Sequence, residues 1–399
     1  MITDLLPDDL LERFRGRAAD FDAQNAFFAE DLDDLRASGY LAGPVPADRG
    51  GSGLSLADTV RAQRRLAAAA PATALGVNMH LIWVHVARFL HERGFPRLAW
   101  VLDEAAAGEL FAFGISEAGN DAVLLDARTT ARVAPDGDGV LVHGTKIFTT
   151  MAPAWTRLGL HARLERETAG DAEPELVFGF VRREGTAPRT PEEASTGLAE
   201  GRITHPALWN TLGMRATQSH TSTLEGVRIA ERDIAARIAP FDPTDPLILA
   251  IFANFSVLTS AVYAGIADRA LALATAAARE PVPVAEGGEA PRLDDPDVAA
   301  RLTHAVLEHR ASLDALEVLA RDLDGRAERD DWFLALAAAR NRVTDEARQT
   351  VETALRVVGA RAYAADAELA RLSRDVLAGL FHPSSSRALA RTVRGVLAG

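Results

Sequence analysis

Three short stretches of this chain carry side chains able to grip a flat ligand with a polar edge. In Ile115–Asp121 (ISEAGND), Ser116 offers a small hydroxyl beside backbone N–H groups at the end of an apolar run. Such a site suits the rim of a ring or a phosphate. In Gly144–Thr150 (GTKIFTT), Phe148 supplies an aromatic plate next to the hydroxyls of Thr149 and Thr150; its alternative is a plain core position. In Trp209–Val227 (WNTLGMRATQSHTSTLEGV), donors stand at Ser219, His220, Thr221 and Ser222, and Gly213 permits a tight bend. Proton-transfer chemistry points to His382, before Pro383, because an imidazole titrates near neutrality; its alternative is to cap a helix end. His80 and Trp83, three residues apart, can share one helix face, either a core face or one reaching a ligand cavity.

The elements that must position these groups follow from periodicity. Residues 1–110 read as a helical N-terminal domain, with Leu5, Leu6, Leu10, Leu11 and Phe14 at helical spacing, a helix over Ser55–Ala70 and another over Val77–Leu90. Residues 111–232 alternate and are punctuated by glycine. They read as a middle β domain, with strands in GVLVHGTKIFTT, Leu176–Arg182 and Gly201–Pro206 and a loop over Pro188–Leu198. Residues 233–399 read as a helical bundle: Leu247–Ala278, Val298–Leu323, Trp332–Val358, Leu369–Phe381 and Ser386–Val396, with a Pro/Gly/acid-rich surface insert at Arg279–Asp297. No unit repeats at a fixed period.

Composition excludes several classes. A chain of 399 residues with 48% hydrophobic content and a formal charge of −13 disfavours nucleic-acid binding. The absence of cysteine removes disulfides, thiolate catalysis and Cys-ligated metal. The ten histidines are scattered, with no His-x-x-x-His pair beside a helical acid, so no metal site is expected. The opening MITDLLPDDLLERF is acidic where a signal peptide is basic, and the nearest approach to a spanning segment, Leu247–Val262, contains Asn254. The expectation is a cytoplasmic protein away from membranes.

The Trp209–Val227 stretch resembles a signature of the acyl-CoA dehydrogenase family of flavoproteins. That pattern is Trp-x-x-Leu-Gly-Met-Arg-x-Thr-x-Ser, then Leu-(Asp/Glu)-Gly-Val; Trp209, Leu212, Gly213, Met214, Arg215, Thr217, Ser219, Leu224, Glu225, Gly226 and Val227 match. ISEAGND resembles the family's Thr-Glu-Pro-Gly-x-Gly-Ser-Asp run, with departures at Ala118 and Asn120. GTKIFTT resembles Gly-x-Lys-x-(Trp/Phe)-Ile-(Thr/Ser), with Thr149 replacing an apolar residue. Val357–Asp375 resembles a Gly-Gly-x-Gly-(Tyr/Phe) element and its following Arg-x-x-Arg-Asp, with matches at Gly359, Tyr363, Arg371, Arg374 and Asp375.

The helix–β–helix order fits the family along nearly the whole chain. The resemblance implies a mostly α protein with a central β-barrel-like domain and an FAD cofactor, FMN being the alternative. It implies flavin contacts at Ser116, Phe148, Thr149, Thr150, Ser219, Gly359 and Arg374. In relatives the Gly359 and Arg374 segment meets the flavin of a neighbouring subunit, implying a homotetramer or homodimer. An electron-transfer partner or a flavin reductase is implied as well.

The main expected reaction is oxidation of an acyl thioester at Cα–Cβ, which requires a carboxylate to take the α-proton. The resemblance lapses there. Pro383 falls where many relatives carry the catalytic Glu, and DPLILA (Asp245–Ala250) lacks the second family base; Glu117, Asp245 and Glu352 are the possible displaced acids. The His382–Pro383 pair instead resembles the family's monooxygenase branch, which uses reduced flavin and O2 on aromatic, heterocyclic or amino-sugar substrates. The alternative reading is therefore a monooxygenase with His382 and His80 as catalytic candidates. A second alternative is a non-catalytic flavin- or acyl-binding subunit.

Overall fold

The computed structural model of the chain describes residues 2–165, 173–184, 197–206, 209–283 and 287–397. Six helices come first: α1 (Ile2–Leu5), α2 (Asp8–Gln24), α3 (Ala29–Ala37), α4 (Leu56–Ala69), α5 (Pro71–Glu92) and α6 (Ala99–Ala106). Local chemistry starts and stops them. Ser55 caps α4 by accepting the Asp58 amide at 3.1 Å, Pro71 opens α5, and Asn25 closes α2 in a left-handed conformation.

The strands β1 (Phe111–Gly114), β2 (Thr130–Val133), β3 (Val140–Thr149), β4 (Arg157–Leu164), β5 (Leu176–Arg182), β6 (Arg202–Thr204), β7 (His220–Ile229) and β8 (Ile234–Ile238) form one sheet. The order is β6-β7-β3-β2-β4-β5-β8, with β1 parallel to β4 at the end of β4 that β2 leaves unpaired. The expected barrel-like domain is corrected here: β6 and β8 are edges, and the sheet stays open. β4 was not foreseen, because Arg157–Ala162 is buried on both faces and shows no in–out alternation. The loop expected over 188–198 falls, up to residue 196, outside the described residues.

Helices return with α7 (Pro246–Ala278). A hairpin of β9 (Pro281–Pro283) and β10 (Glu289–Pro291) occupies part of the expected insert. Then come α8 (Pro296–Asp324), α9 (Trp332–Val358), α10 (Glu368–Asp375) and α11 (Ser386–Leu397). α7 is the axis of the molecule, packing against α4, α5, α8 and α9. It is long and apolar enough to cross a bilayer, and 89% of its most apolar window is buried inside the fold.

Between α5 and the sheet, Trp83 Nε1 donates to Ala112 O at 2.9 Å, and its ring packs edge-on against Phe180. Gly159 is needed there, since a Cβ would lie 2.4 Å from the Trp83 ring.

One buried ionic cluster ties four helices. His309 on α8 lies 2.9 Å from Asp268 on α7 and 3.0 Å from Glu346 on α9, while Asp268 also pairs with Arg64 on α4. Burial opposes a charge on His309, but the hydrogen bonds to Asp268 and Glu346 outweigh it and raise its pKa to about 9. A histidine protonated more tightly in the folded state than at its ordinary 6.5 adds stability that is complete below pH 6.5 and lost by about pH 9. Thermal denaturation should therefore show stability falling across that window by on the order of 3 kcal/mol. His309→Gln should flatten the profile, and an unchanged slope in that variant would show that the cluster does not set it.

Candidate functional site

The Trp209–Ser219 stretch is pinned from two sides. From α2, Asn25 Nδ2 donates to Trp209 O at 2.5 Å, and the Asp22 carbonyl accepts Arg215 Nε at 2.8 Å. From α10, the buried Asp375 carboxylate accepts the Met214 amide at 2.5 Å. Gly213 serves close approach here: a Cβ would stand 2.3 Å from the Arg374 carbonyl. Met214 and Gln218 take left-handed φ values of 53° and 44° on either side of a short turn. Arg374 and Asp375 act as separate anchors, since Arg374 pairs with Asp22.

Pinned this way, the stretch walls a cavity of 440 Å³, within the ~300–1,000 Å³ typical of small-molecule sites. Phe148, Thr150, Ser219, Arg374 and His382 all line it, joined by Trp209. Phe148 is no core residue. It sits at φ 57°, is 46% exposed, and meets Trp209 edge-on at 6.2 Å. The strand is irregular between Lys146 and Thr149, and this reverses the alternation expected for its end. Thr150 therefore faces the cavity, whereas Thr149 is fully buried with a hydroxyl that has no hydrogen-bond partner among the described residues.

Along the cavity floor the Thr150, Ser219 and Thr217 hydroxyls form a chain at 2.8 Å spacing, and Thr217 donates to Met214 O. His220 lies behind this floor, 3.0 Å from Gln218 Oε1.

Ser116 borders a second, smaller cavity of 170 Å³, which shares Phe148, Phe381 and His382 with the first. Beside it, Glu117 accepts Lys146 Nζ at 2.7 Å and the Arg128 and Thr129 amides at 2.7 and 2.9 Å. Burial opposes ionisation of Glu117, but Lys146 and these amides outweigh it and bring the pKa down to about 2. A third cavity of 300 Å³ shares Val123, Pro383 and Ser384 with the second and is walled by Phe113, Ile251, Phe252, Phe255 and Phe333.

His382 stands where the first two cavities meet, with Tyr263 Oη 2.6 Å from its Nε2. Burial, then the Arg340 charge, pushes its pKa down to about 3, so the ring is neutral at physiological pH, contrary to the expected near-neutral titration.

His80 is not brought to the site. It lines none of the three cavities, and both ring nitrogens are engaged, with Leu41 O at 3.0 Å and the Phe111 amide at 3.3 Å. His80 and Trp83 do share a face, but that face holds β1. Gly359 also lies away from the cavities, closing α9 at φ 78°. Tyr263, one of three tyrosines in the chain, was missed by sequence reasoning because it sits inside a continuous apolar run.

The residues present fit a flavin. The main cavity offers an exposed aromatic plate, a hydroxyl chain and a Trp209 indole N–H with no partner among the described residues.

Comparison with known proteins agrees with this architecture. Residues 6–117 match the model of the acyl-CoA dehydrogenase N-terminal domain, and residues 257–387 match that of the C-terminal domain. The putative acyl-CoA dehydrogenase YdbM of Bacillus subtilis is 29% identical, the match covering 94% of this chain and 91% of that one. The amino sugar nitrososynthase RubN8 of Streptomyces rubradiris is 31% identical over 94% of this chain and 84% of its own. Among solved structures, KijD3 in complex with FMN and dTDP-3-amino-2,3,6-trideoxy-4-keto-3-methyl-D-glucose superposes with a TM-score of 0.77 at 26% identity, covering 98% of this chain and 91% of that one. With both terminal domains matched and a relative above 30% identity along nearly its whole length, the chain belongs to the acyl-CoA dehydrogenase superfamily of flavin-dependent oxidoreductases.

Proposed function

We propose that this protein is a reduced-flavin-dependent monooxygenase acting on a small, largely apolar organic substrate. The observation that carries this reading is the commitment of the three acids that the sequence offers in place of the missing base. Glu117 is held ionised by Lys146 and two backbone amides. Asp245 caps α7 through the Leu247 amide at 2.8 Å and pairs with Arg97. Glu352 lies exposed on α9, paired with Arg356. None of them lines the main cavity, where a neutral His382 followed by Pro383 takes the base's place. Without a carboxylate to accept an α-proton, Cα–Cβ dehydrogenation of an acyl thioester has no route for that proton.

A bound flavin, FMN or FAD, supplies two-electron reduction of O2 once a reductase or an electron-transfer partner has reduced it. Phe148, Thr150, Ser219 and Trp209 would hold its ring, and Arg374 would close the far side of the cavity. Ser116 borders the adjoining cavity. Gly359 and the 92% exposed Tyr363 form a surface that we assign to a neighbouring copy. The chain's own groups then present His382 to the reacting centre.

The phenylalanine-walled cavity of 300 Å³, whose Phe255 ring lies 6.1 Å from that of His382, favours an aromatic or heterocyclic substrate. The nitrososynthase relatives favour an amino sugar instead, and the cavity walls weigh against so polar a molecule.

The test pairs two titrations of the flavin-loaded protein. Graded saturated acyl-CoAs added anaerobically should leave the oxidised flavin spectrum unbleached. Reductase-supplied reduced flavin with O2 should give an oxygenated product from a bicyclic or tricyclic heterocycle. Bleaching by any acyl-CoA overturns the proposal and returns the chain to the dehydrogenases.

Two variants examine the cofactor contacts by equilibrium dialysis. Phe148→Ala should weaken flavin binding roughly tenfold, about 1.4 kcal/mol, as expected for loss of a ring contact. Thr149→Val should leave affinity unchanged and raise stability by up to about 1 kcal/mol, because its buried hydroxyl bonds to nothing among the described residues. Loss of flavin on Thr149→Val, with retention on Phe148→Ala, would reverse the assignment of these two side chains.

A further inference from the structure

We propose that Tyr263 is a positioning residue that fixes His382 as its Nδ1–H tautomer, so that His382 donates a hydrogen bond into the cavity and does not act as a proton-accepting base. The argument begins with the phenol. Tyr263 Oη has His382 Nε2, at 2.6 Å, as its hydrogen-bond partner among the described residues, and the tyrosine is fully buried on α7. Were Nε2 protonated, its N–H would point at Oη, and the phenol hydrogen would be sealed in the interior without an acceptor. With the phenol as donor both groups are satisfied. Burial also holds the Tyr263 pKa above its ordinary value, so the proton stays on the oxygen.

The remaining nitrogen of the neutral ring then carries the hydrogen. His382 Nδ1 has no hydrogen-bond partner among the described residues, yet it is not among the buried orphaned atoms, and the residue lines the two adjoining cavities. The Nδ1–H is accordingly offered to whatever occupies them. A base needs a lone pair at that position, and this geometry spends the ring's one free lone pair on Tyr263.

The scaffold holds the pair in register. On α9, Arg340 donates to Gly379 O at 3.3 Å and to Ser384 O at 2.6 Å, and Asn341 Nδ2 donates to Ser384 O at 3.0 Å. These contacts clamp the backbone on both sides of His382. Gly379 presses on the tyrosine itself, since a Cβ there would lie 3.0 Å from the Tyr263 ring.

The charged groups around the dyad are Arg340 from α9, Arg374 and Asp375 from α10, Glu117 and Asp121 after β1, and Arg387 and Arg391 from α11, with Arg391 paired to Asp121. Arg340, the one that acts most directly on the imidazole, further disfavours its protonation. The acceptor that receives this hydrogen bond depends on the monooxygenase reading, and there it is an oxygen or other heteroatom of the reacting species. The tautomer does not depend on that reading.

Two-bond ¹H–¹⁵N correlation of ¹⁵N-histidine-labelled protein reads the tautomer directly, with His382 assigned by the signals that vanish in His382→Asn. The expected result is a protonated Nδ1 and an unprotonated Nε2, unchanged from pH 5 to 9, with a population protonated at Nε2 appearing in Tyr263→Phe. A wild-type ring protonated at Nε2 overturns the proposal.

Turnover supplies the second arm. Asn places an amide N–H near the position of Nδ1, whereas Gln places one near that of Nε2. His382→Asn should therefore retain at least tenfold more kcat/KM than His382→Gln. Equal losses in the two overturn the donor role. If the tautomer is as stated but no substrate is oxygenated by the wild type, the positioning by Tyr263 stands and the monooxygenase reading fails.

Discussion

The buried carboxylate of Asp375, accepting the Met214 amide at 2.5 Å, is the contact on which the site depends. It joins the last turn of α10 to the irregular stretch entering β7, two segments 161 residues apart in sequence. Burial raises the Asp375 pKa to about 6, so the interior tolerates this charge only because partners meet it: the Arg371 guanidinium and the Met214 amide. The turn that carries His382 follows directly on α10 and is clamped further by Arg340 and Asn341 of α9. The cavity wall running from Trp209 to Ser219 is pinned at the Asp375–Met214 contact. Gly213 is the geometric counterpart, because no larger residue lets the two backbones approach this closely.

Much of the architecture was legible because amphipathic periodicity is a local property. α9 begins and ends at Trp332 and Val358 as its spacing predicts, and β5 likewise spans Leu176–Arg182. What could not be read depends on what covers a residue. β4 lies in the middle of the sheet and has no polar face to alternate with. The parity of Thr149 and Thr150 is reversed by a local irregularity that carries Phe148 into a positive φ. His80 and Trp83 do share a helix face, but spacing alone cannot tell a strand from a ligand as the partner of that face. Phe148, Thr150, Ser219 and His382 come from three separate stretches of the sequence and line one cavity.

The two histidines most open to a catalytic reading illustrate how differently burial can be resolved. His80 has a backbone carbonyl on one nitrogen and a backbone amide on the other, a fully satisfied ring with no capacity left for a ligand. His382 has one nitrogen satisfied by a phenol and the other left to the cavity. Both are pushed toward the neutral form by burial, so the pKa direction alone does not separate them. Hydrogen-bond accounting does.

The partners of Glu117 show how a structural duty can withhold an acid from proton transfer. This carboxylate borders the second cavity, yet it neutralises the fully buried Lys146, whose other hydrogen-bond acceptors are the carbonyl oxygen and Nδ1 of His161. Freeing it to accept a substrate proton would strand an ammonium in the interior and orphan the Arg128 and Thr129 amides, at a cost of several kcal/mol. Glu117 is thus bound to the structural role of holding β3 against β4. It is therefore poorly placed to serve as a carboxylate base by a small shift of its side chain. Chemistry that needs only a flavin, O2, an apolar pocket and one oriented N–H donor is compatible with the fold as it stands.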